Sequence, residues 1–352
     1  MKKVLQVVND LDGGGVEKIL STFTDSNPQL LDIEFLKHNS RIGILEKSNF
    51  KNFNIFYASK KNIFKYIITV KKILKNKYTH IHVHQNEQSW HVLLISLIFS
   101  PSTKRILHNH TNKLEINYFK QISIFFCRIL SQKKIACSYA AGETLFAKSN
   151  FSVIYNSIDF DEFEFNISKR KYLRVKYEIQ DKDICIGNIA RFELQKNHEF
   201  IIELVESLKK YTLNFKVILI GDGSLKKSFL KKVEKMKIEN FFLFISPTQE
   251  ISQYYSFFDV FILPSFYEGL GVVCLEAQVN GLSCLTSKFV PSEVICNENA
   301  YQLKLDSRLW AEKIIELDKL KSNIVQRSLF SNTILKKFSH QKFIDGFNSI
   351  YE

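Results

Sequence analysis

Two glutamates, Glu268 and Glu276, stand eight residues apart in Pro264-Ser265-Phe266-Tyr267-Glu268-Gly269-Leu270-Gly271-Val272-Val273-Cys274-Leu275-Glu276. A carboxylate can accept two hydroxyl hydrogen bonds at once, which is what ribose and sugar hydroxyls require. Packing is a poor explanation for an acid inside Val272-Val273-Cys274-Leu275-Glu276-Ala277-Gln278, because unpaired carboxylates are almost never buried. Arg191 and Lys196 leave the end of an apolar run, Ile184 to Ile189. A planar guanidinium fork beside a movable ammonium suits a diphosphate; standing alone, the pair would read equally well as two solvated surface cations. Gly13-Gly14-Gly15-Val16-Glu17 follows the first apolar run. Glycines there let backbone approach a phosphate at a helix start, although a tight strand-to-helix turn accounts for them too and the spacing is not G-x-G-x-x-G. His80, His82 and His84 alternate along one run and so share a face. They could share an ion, but Glu87 is the one acid nearby, and a polar strand end is the better reading.

These residues need a scaffold that brings strand ends together. Lys2-Lys3-Val4-Leu5-Gln6-Val7-Val8, 81–85, 104–110 and 133–138 read as strands, and so do 184–191, 215–223, 241–246 and 259–265. Helical segments stand between them, such as 89–99, 113–130 and 198–211. Apolar strands buried on both faces and alternating with helices imply parallel sheets. The rhythm restarts after a charged junction at 154–171, so the expectation is an α/β chain of two Rossmann-like domains. These are 1–165, with a C-terminal helix at about 336–352 packing back on it, and 166–335. Ligands would bind at strand carboxyl ends, in an interdomain cleft.

Composition bounds the reading. The 352 residues exceed what one core usually serves. The mix, 45% hydrophobic and 24% charged, is globular, so disorder is excluded. The N-terminus lacks the apolar stretch and cleavage site of a secretory signal, and the run Val92–Phe99 is about half a membrane span. The six cysteines include no C-x-x-C pair and read as reduced thiols of a cytoplasmic protein, with no metal site.

Taken together, the landmarks resemble the family 4 retaining glycosyltransferases of GT-B architecture. Glu268 and Glu276 match that family's E-x7-E motif, and Arg191 with Lys196 its R-x4-K pair. Gly14-Gly15-Val16-Glu17 matches its G-G-x-E loop, Gly221-Asp222-Gly223 its G-x-G turn, and Asp259 opens the segment that fits the family best. His108-Asn109-His110, 135–146 and 153–165 are similar to bacterial exopolysaccharide, capsule and lipopolysaccharide glycosyltransferases. Two departures stand out: Ser246 replaces a frequent glycine, and Asn156-Ser157-Ile158-Asp159 replaces N-G-[IV]-D.

The resemblance implies a role for each matching residue. Arg191 and Lys196 hold the donor diphosphate, with Gly14 and Gly15 approaching it from the other domain. Glu276 binds the ribose hydroxyls and Glu268 contacts the transferred sugar, beside the amides of Gly269, Leu270 and Gly271. His110 lines the reaction centre in a supporting role, with His108 and Asn109 on the acceptor side. No cofactor or divalent metal is needed. The donor is a UDP-sugar and the acceptor a lipid-linked bacterial surface glycan. A non-catalytic subunit of the same architecture, or a sugar-nucleotide epimerase, is the alternative; retention of Arg191, Lys196, Glu268 and Glu276 disfavours the first, and the E-x7-E match the second.

The net charge of +13 is unevenly spread. Residues 51–150 carry 16 basic and 3 acidic side chains, whereas 151–352 carry 27 and 26. Two basic amphipathic helices concentrate the excess. In the first, Ile63, Ile67, Val70 and Leu74 form one stripe opposite Lys61, Lys65 and Lys72; the second spans 118–134. The expectation is a surface that docks on the anionic inner face of the cytoplasmic membrane, with no nucleic-acid partner.

Overall fold

Val4, Leu5, Val7 and Val8 are buried in succession, as are Ile184, Cys185 and Ile186. Unbroken apolar runs of this kind need cover on both faces of a sheet. The computed structural model describes residues 1–352 apart from 12–14, 27–30, 41, 48, 114–116, 148, 249, 320–326 and 328–331. It divides into two units, 1–157 with 340–352, and 158–339.

The first unit carries β1 (Lys2–Val8), β2 (Leu31–Lys37), β3 (Ile55–Tyr57), β4 (His80–Val83), β5 (Lys104–Asn109), β6 (Lys133–Ala136) and β7 (Ser152–Val153). They form a parallel sheet in the order β3-β2-β1-β4-β5-β6-β7. The second unit carries β8 (Ile184–Ile189), β9 (Phe215–Ile220), β10 (Phe242–Ile245), β11 (Val260–Leu263), β12 (Ser283–Ser287) and β13 (Ala300–Leu303). These are parallel in the order β10-β9-β8-β11-β12-β13. In each sheet the strand order reverses once, between β1 and β4 and between β8 and β11. In open α/β sheets the carboxyl ends of the strands on either side of such a reversal are where ligands bind. Arg191, Lys196, Glu268, Gly269, Leu270 and Gly271 lie in the connections that follow β8 and β11, and His108, Asn109 and His110 at the end of β5, whereas Gly15 and Glu276 lie in helices.

The C-terminal helix His340–Tyr351 belongs to the first unit, where Phe347 meets Phe23 at 4.8 Å between ring centres and Tyr351 is buried. The first unit ends at Ser157, ahead of the expected residue 165. Phe163 packs on Tyr255, and the Asn166 amide donates to Ser256 Oγ, so 158–166 is held by the second unit. Asp259, buried at the start of β11, accepts from Arg170 at 2.6 Å, from Arg174 at 3.4 Å and from the Cys185 amide at 2.8 Å. That network fixes the helix Ile167–Lys176 under β8 and β11 and gives Asp259 a structural role.

Two helical expectations are corrected. In the helix Ile63–Leu74, Tyr66, Val70, Ile73 and Leu74 are buried while Ile63 is exposed, because the helix begins at Ile63, capped by Asn62. The second basic helix begins at Tyr118, capped by Asn117, and turns an apolar face outward (Tyr118–Leu130).

Candidate functional site

In the second unit, the loop after β8 and the loop after β11 meet across the strand-order reversal. Phe266 N–H donates to Gln195 O at 2.8 Å, Gln195 Nε2 to Tyr267 O at 2.8 Å, and Asn197 Nδ2 to Pro264 O at 3.1 Å. Asn197 takes a left-handed conformation, φ +53°, and so turns the chain from Lys196 into the helix His198–Leu208. The stitched loops bring Lys196 Nζ to 2.6 Å from Glu268 Oε1, across 72 residues of sequence. Ser265 Oγ donates to the same oxygen at 2.6 Å. Glu268 is buried, whereas Arg191 is exposed, two residues past the end of β8.

A second loop contact positions Arg191. A Cβ on Gly221 would lie 2.0 Å from Ala190 O, and one on Gly223 2.6 Å from Phe192 O. Only glycines let the loop after β9 approach this closely, which is the physical content of the G-x-G turn. Glu193 clamps the approach by accepting from Ser224 N–H at 3.0 Å and Ser224 Oγ at 2.8 Å, bonds that lower its pKa.

Glu276 lies in the helix Val272–Val279, which opens on Gly271 at φ +94° with no side-chain cap. Its first amides are therefore placed to meet an anion. Glu276 is buried and accepts from Tyr255 Oη at 2.5 Å. Burial and then the Glu276 charge push the Tyr255 hydroxyl well above its usual pKa, so it stays a donor. Leu270 is buried beneath the helix start.

In the first unit, Gly14 lies outside the described residues. Gly15 begins the helix Gly15–Ser26 with open space where a side chain would stand, so a group could approach its backbone. At the ends of β4 and β5, four imidazoles stack: His82 on His84 at 4.1 Å between ring centres, His82 on His108 at 5.4 Å, and His108 on His110 at 4.1 Å. Hydrogen bonds set the tautomers of His82, His84 and His110. Gln6 Nε2 donates to Tyr351 Oη at 2.8 Å, and that hydroxyl donates to His82 Nδ1 at 2.7 Å. Gln6 Oε1 then accepts from His84 Nε2 at 2.8 Å, so His84 Nδ1 accepts from His110 Nε2 at 3.0 Å. The hydrogen on His110 is thereby assigned to Nε2, and Nδ1 keeps its lone pair. Burial holds His110 neutral down to about 3.

His82, His84 and His108 bring one nitrogen each within 4.8 Å of one another. Both His84 nitrogens are already committed, and the His82 and His108 rings lie parallel, 8° apart. Imidazoles sharing an ion must point ring edges at it, which parallel His82 and His108 rings do poorly, although His82 Nε2 and both His108 nitrogens have no hydrogen-bond partner among the described residues. His108 and Asn109, expected on the acceptor side, are sealed at 1% and 0% exposure. Asn109 Nδ2 donates to Thr111 O and Ala141 O and ties a loop. Of the three, His110 alone is partly open. Sequence reasoning missed Tyr351, Gln6, Tyr255 and Ser265; the partners of the first three lie too far along the chain for a local pattern to show, whereas Ser265 stands three residues from Glu268 and only the turn of the loop reveals their contact.

Residues 169–326 match the family described as Glycosyl transferases group 1. The chain is 26% identical over 311 residues to the putative glycosyltransferase EpsF of Bacillus subtilis, covering 83% of this chain and 81% of that protein. It is 23% identical over 249 residues to the amylovoran biosynthesis glycosyltransferase AmsD of Erwinia amylovora, covering 69% and 70%. Among solved structures it resembles Anabaena Alr3699/HepE in complex with UDP, with a TM-score of 0.83, 16% identity and 99% of both chains covered. The fold is the two-sheet GT-B architecture of such neighbours.

Proposed function

We propose that this chain, carrying a group 1 glycosyl transferase domain over residues 169–326, moves a sugar from a nucleotide-sugar to a growing bacterial surface glycan. The observation that carries the reading is the Lys196–Glu268–Ser265 cluster at the strand-order reversal, with Arg191 on the same loop and Glu276 one helix away. Relatives named for amylovoran and O-antigen biosynthesis support the acceptor class. The Anabaena structures with UDP and UDP-glucose support a UDP-sugar donor.

Arg191 and Lys196 receive the diphosphate, aided by the uncapped helix start at Gly271, Leu270 and Gly269. The incoming phosphate draws Lys196 away from Glu268, whose freed oxygens accept hydroxyls of the transferred sugar. Glu276, oriented by Tyr255, accepts the ribose hydroxyls. His110 presents Nδ1 to a sugar hydroxyl; an imidazole held neutral to about 3 accepts a hydrogen bond well and a proton poorly. His108 and Asn109 hold this end together, and Gly14 and Gly15 are assigned to the phosphates through their backbone. The bond from the anomeric carbon to the diphosphate oxygen breaks as a bond from the acceptor hydroxyl forms on the same face. The hydroxyl proton passes to the leaving phosphate oxygen, which gives retention. Charge developing on the diphosphate is met by placed cations, so no divalent metal or other cofactor takes part.

The acceptor is lipid-linked at the inner face of the cytoplasmic membrane, and the basic region 51–150 docks on anionic lipid there. No described helix is long and apolar enough to cross a membrane.

A thermal-shift and turnover panel of UDP-, GDP-, ADP- and TDP-sugars tests the reading. UDP-sugars are expected to stabilise the chain, and Glu268→Gln to keep that shift and lose transfer. A flat response to every donor would favour the non-catalytic subunit, and near-normal transfer by Glu268→Gln would remove Glu268 from the chemistry.

A further inference from the structure

The helix Tyr118–Leu130 carries apolar residues on two opposite sides, with Lys120, Gln121, Ser123 and Arg128 between them, yet only one of the two sides is covered. Ile124, Cys127 and Leu130 pack inward. On the outer side Tyr118 is 73% exposed, Phe119 78%, Phe125 57% and Ile129 61%, with Ile122 and Phe126 between them. These six positions recur at the three- and four-residue spacing that forms a single stripe. Single exposed apolar residues are ordinary, whereas a continuous stripe of this size marks a contact surface. Shallow space along Tyr118, Ile122, Phe125 and Phe126 amounts to about 400 Å³.

The stripe has neighbours of matching character. Phe126 stacks on Trp90 at 5.8 Å, at the start of the helix Trp90–Phe99, which ends on exposed Leu97, Ile98 and Phe99. Lys71 Nζ lies 4.6 Å over the Phe99 ring. Its helix, Ile63–Leu74, exposes Phe64 and Ile68 among Lys65, Lys71 and Lys72. Lysines bordering an apolar surface can lay their stems along it and lift their charges to a polar boundary.

We infer that Tyr118–Leu130 enters the boundary between headgroups and acyl chains of an anionic bilayer, the aromatic stripe inserted and the surrounding lysines on the headgroups. This rests on the proposed docking of 51–150 and adds to it a mode, insertion beyond surface attraction. A second copy of the chain is the weaker occupant, because it would set a region of 16 basic and 3 acidic residues against itself. An anionic bilayer meets both the charge and the aromatic surface. Placement agrees. Lys120 pairs with Glu87 at 3.6 Å, and Cys127 Sγ lies 3.6 Å from Glu87 O, anchoring the helix beside the loop that follows β4. His84 opens that loop and bonds His110, so insertion brings this strand end to the depth where the sugar of a lipid-linked acceptor stands.

The chain supplies its own reporter. Its two tryptophans are Trp90, beside the stripe, and Trp310, fully buried in the second unit. Vesicles of phosphatidylcholine and phosphatidylglycerol with brominated acyl chains quench only an indole near the hydrocarbon. Trp90 emission is expected to fall on binding, and part of the binding to survive about 1 M salt, where screening acts beyond about 3 Å. The variant Phe119→Ser/Phe125→Ser/Ile129→Ser is expected to keep its melting temperature and low-salt sedimentation while losing the quenching and the salt-resistant fraction. Sedimentation without quenching, abolished by salt alike in both proteins, would overturn insertion and leave docking standing. No sedimentation with anionic vesicles at low salt would overturn the docking reading itself. A wild-type dimer that the triple variant converts to monomer would assign the stripe to a second copy instead.

Discussion

Acidification from pH 7 to pH 5 is expected to destabilise the first unit through its imidazole stack. An unfolded histidine takes up a proton near pH 6.5, whereas burial keeps folded His110 neutral down to about 3. A base with a depressed folded pKa contributes its stability fully above about 6.5, and loses it as pH falls through the window from there toward 3. The loss runs at about 1.36 kcal/mol per pH unit, so His110 alone gives up about 2 kcal/mol by pH 5. His82, His84 and His108 shift the same way, by burial first and then by mutual repulsion. Each of them adds to the slope, against a total stability of about 5–15 kcal/mol for a typical protein. Urea unfolding at several pH values, followed through Trp90 emission, gives the slope directly. The variant His108→Leu keeps an apolar body in the stack and should flatten the acid slope by up to one proton. A urea midpoint unchanged between pH 7 and 5, or a slope unaltered in His108→Leu, would refute the reasoning.

Lys196→Met should weaken UDP binding about 10- to 100-fold, the worth of one charge-assisted hydrogen bond to a phosphate, as read by calorimetry. Undiminished affinity would show that Lys196 serves only Glu268. Gly221→Ala sets a Cβ 2.0 Å from the Ala190 carbonyl oxygen and should cost at least about 2 kcal/mol in urea unfolding. It should also loosen the loop that carries Arg191, so that UDP binding falls with it.

The strands that were legible in the sequence are those with unbroken apolar runs, such as β1, β8, β9 and β11. β2 was obscured by Asp32 and Glu34, the latter buried, paired with Lys3 and hydrogen-bonded by Asn54 and Tyr78. β12 and β13 are short, and Ser283, Thr286, Ser287 and Gln302 dilute their apolar character. At the candidate site the residue types at 191, 196, 268 and 276 were legible, and their pairing was not. Lys196 meets Glu268 because β8 and β11 are neighbours in the sheet, and Tyr255 meets Glu276 because the helices before and after β11 come together, facts no local window contains. The basic region shows a different limit. Periodicity tells which residues share a helix face but not which face turns inward, so the helix Tyr118–Leu130 read as basic outside and proved aromatic outside.

The return of the helix His340–Tyr351 to the first unit has a consequence for synthesis. Chains usually fold domain by domain from the N-terminus as they leave the ribosome. Here Tyr351, which follows the whole of the second unit in the chain, caps the His82 and Gln6 hydrogen bonds at the centre of the unit that was begun first. The second unit, complete at Ser339, can close while the first still lacks its last helix. The unit begun first is therefore finished after the second, and until the helix His340–Tyr351 has emerged its imidazole core stands open to water.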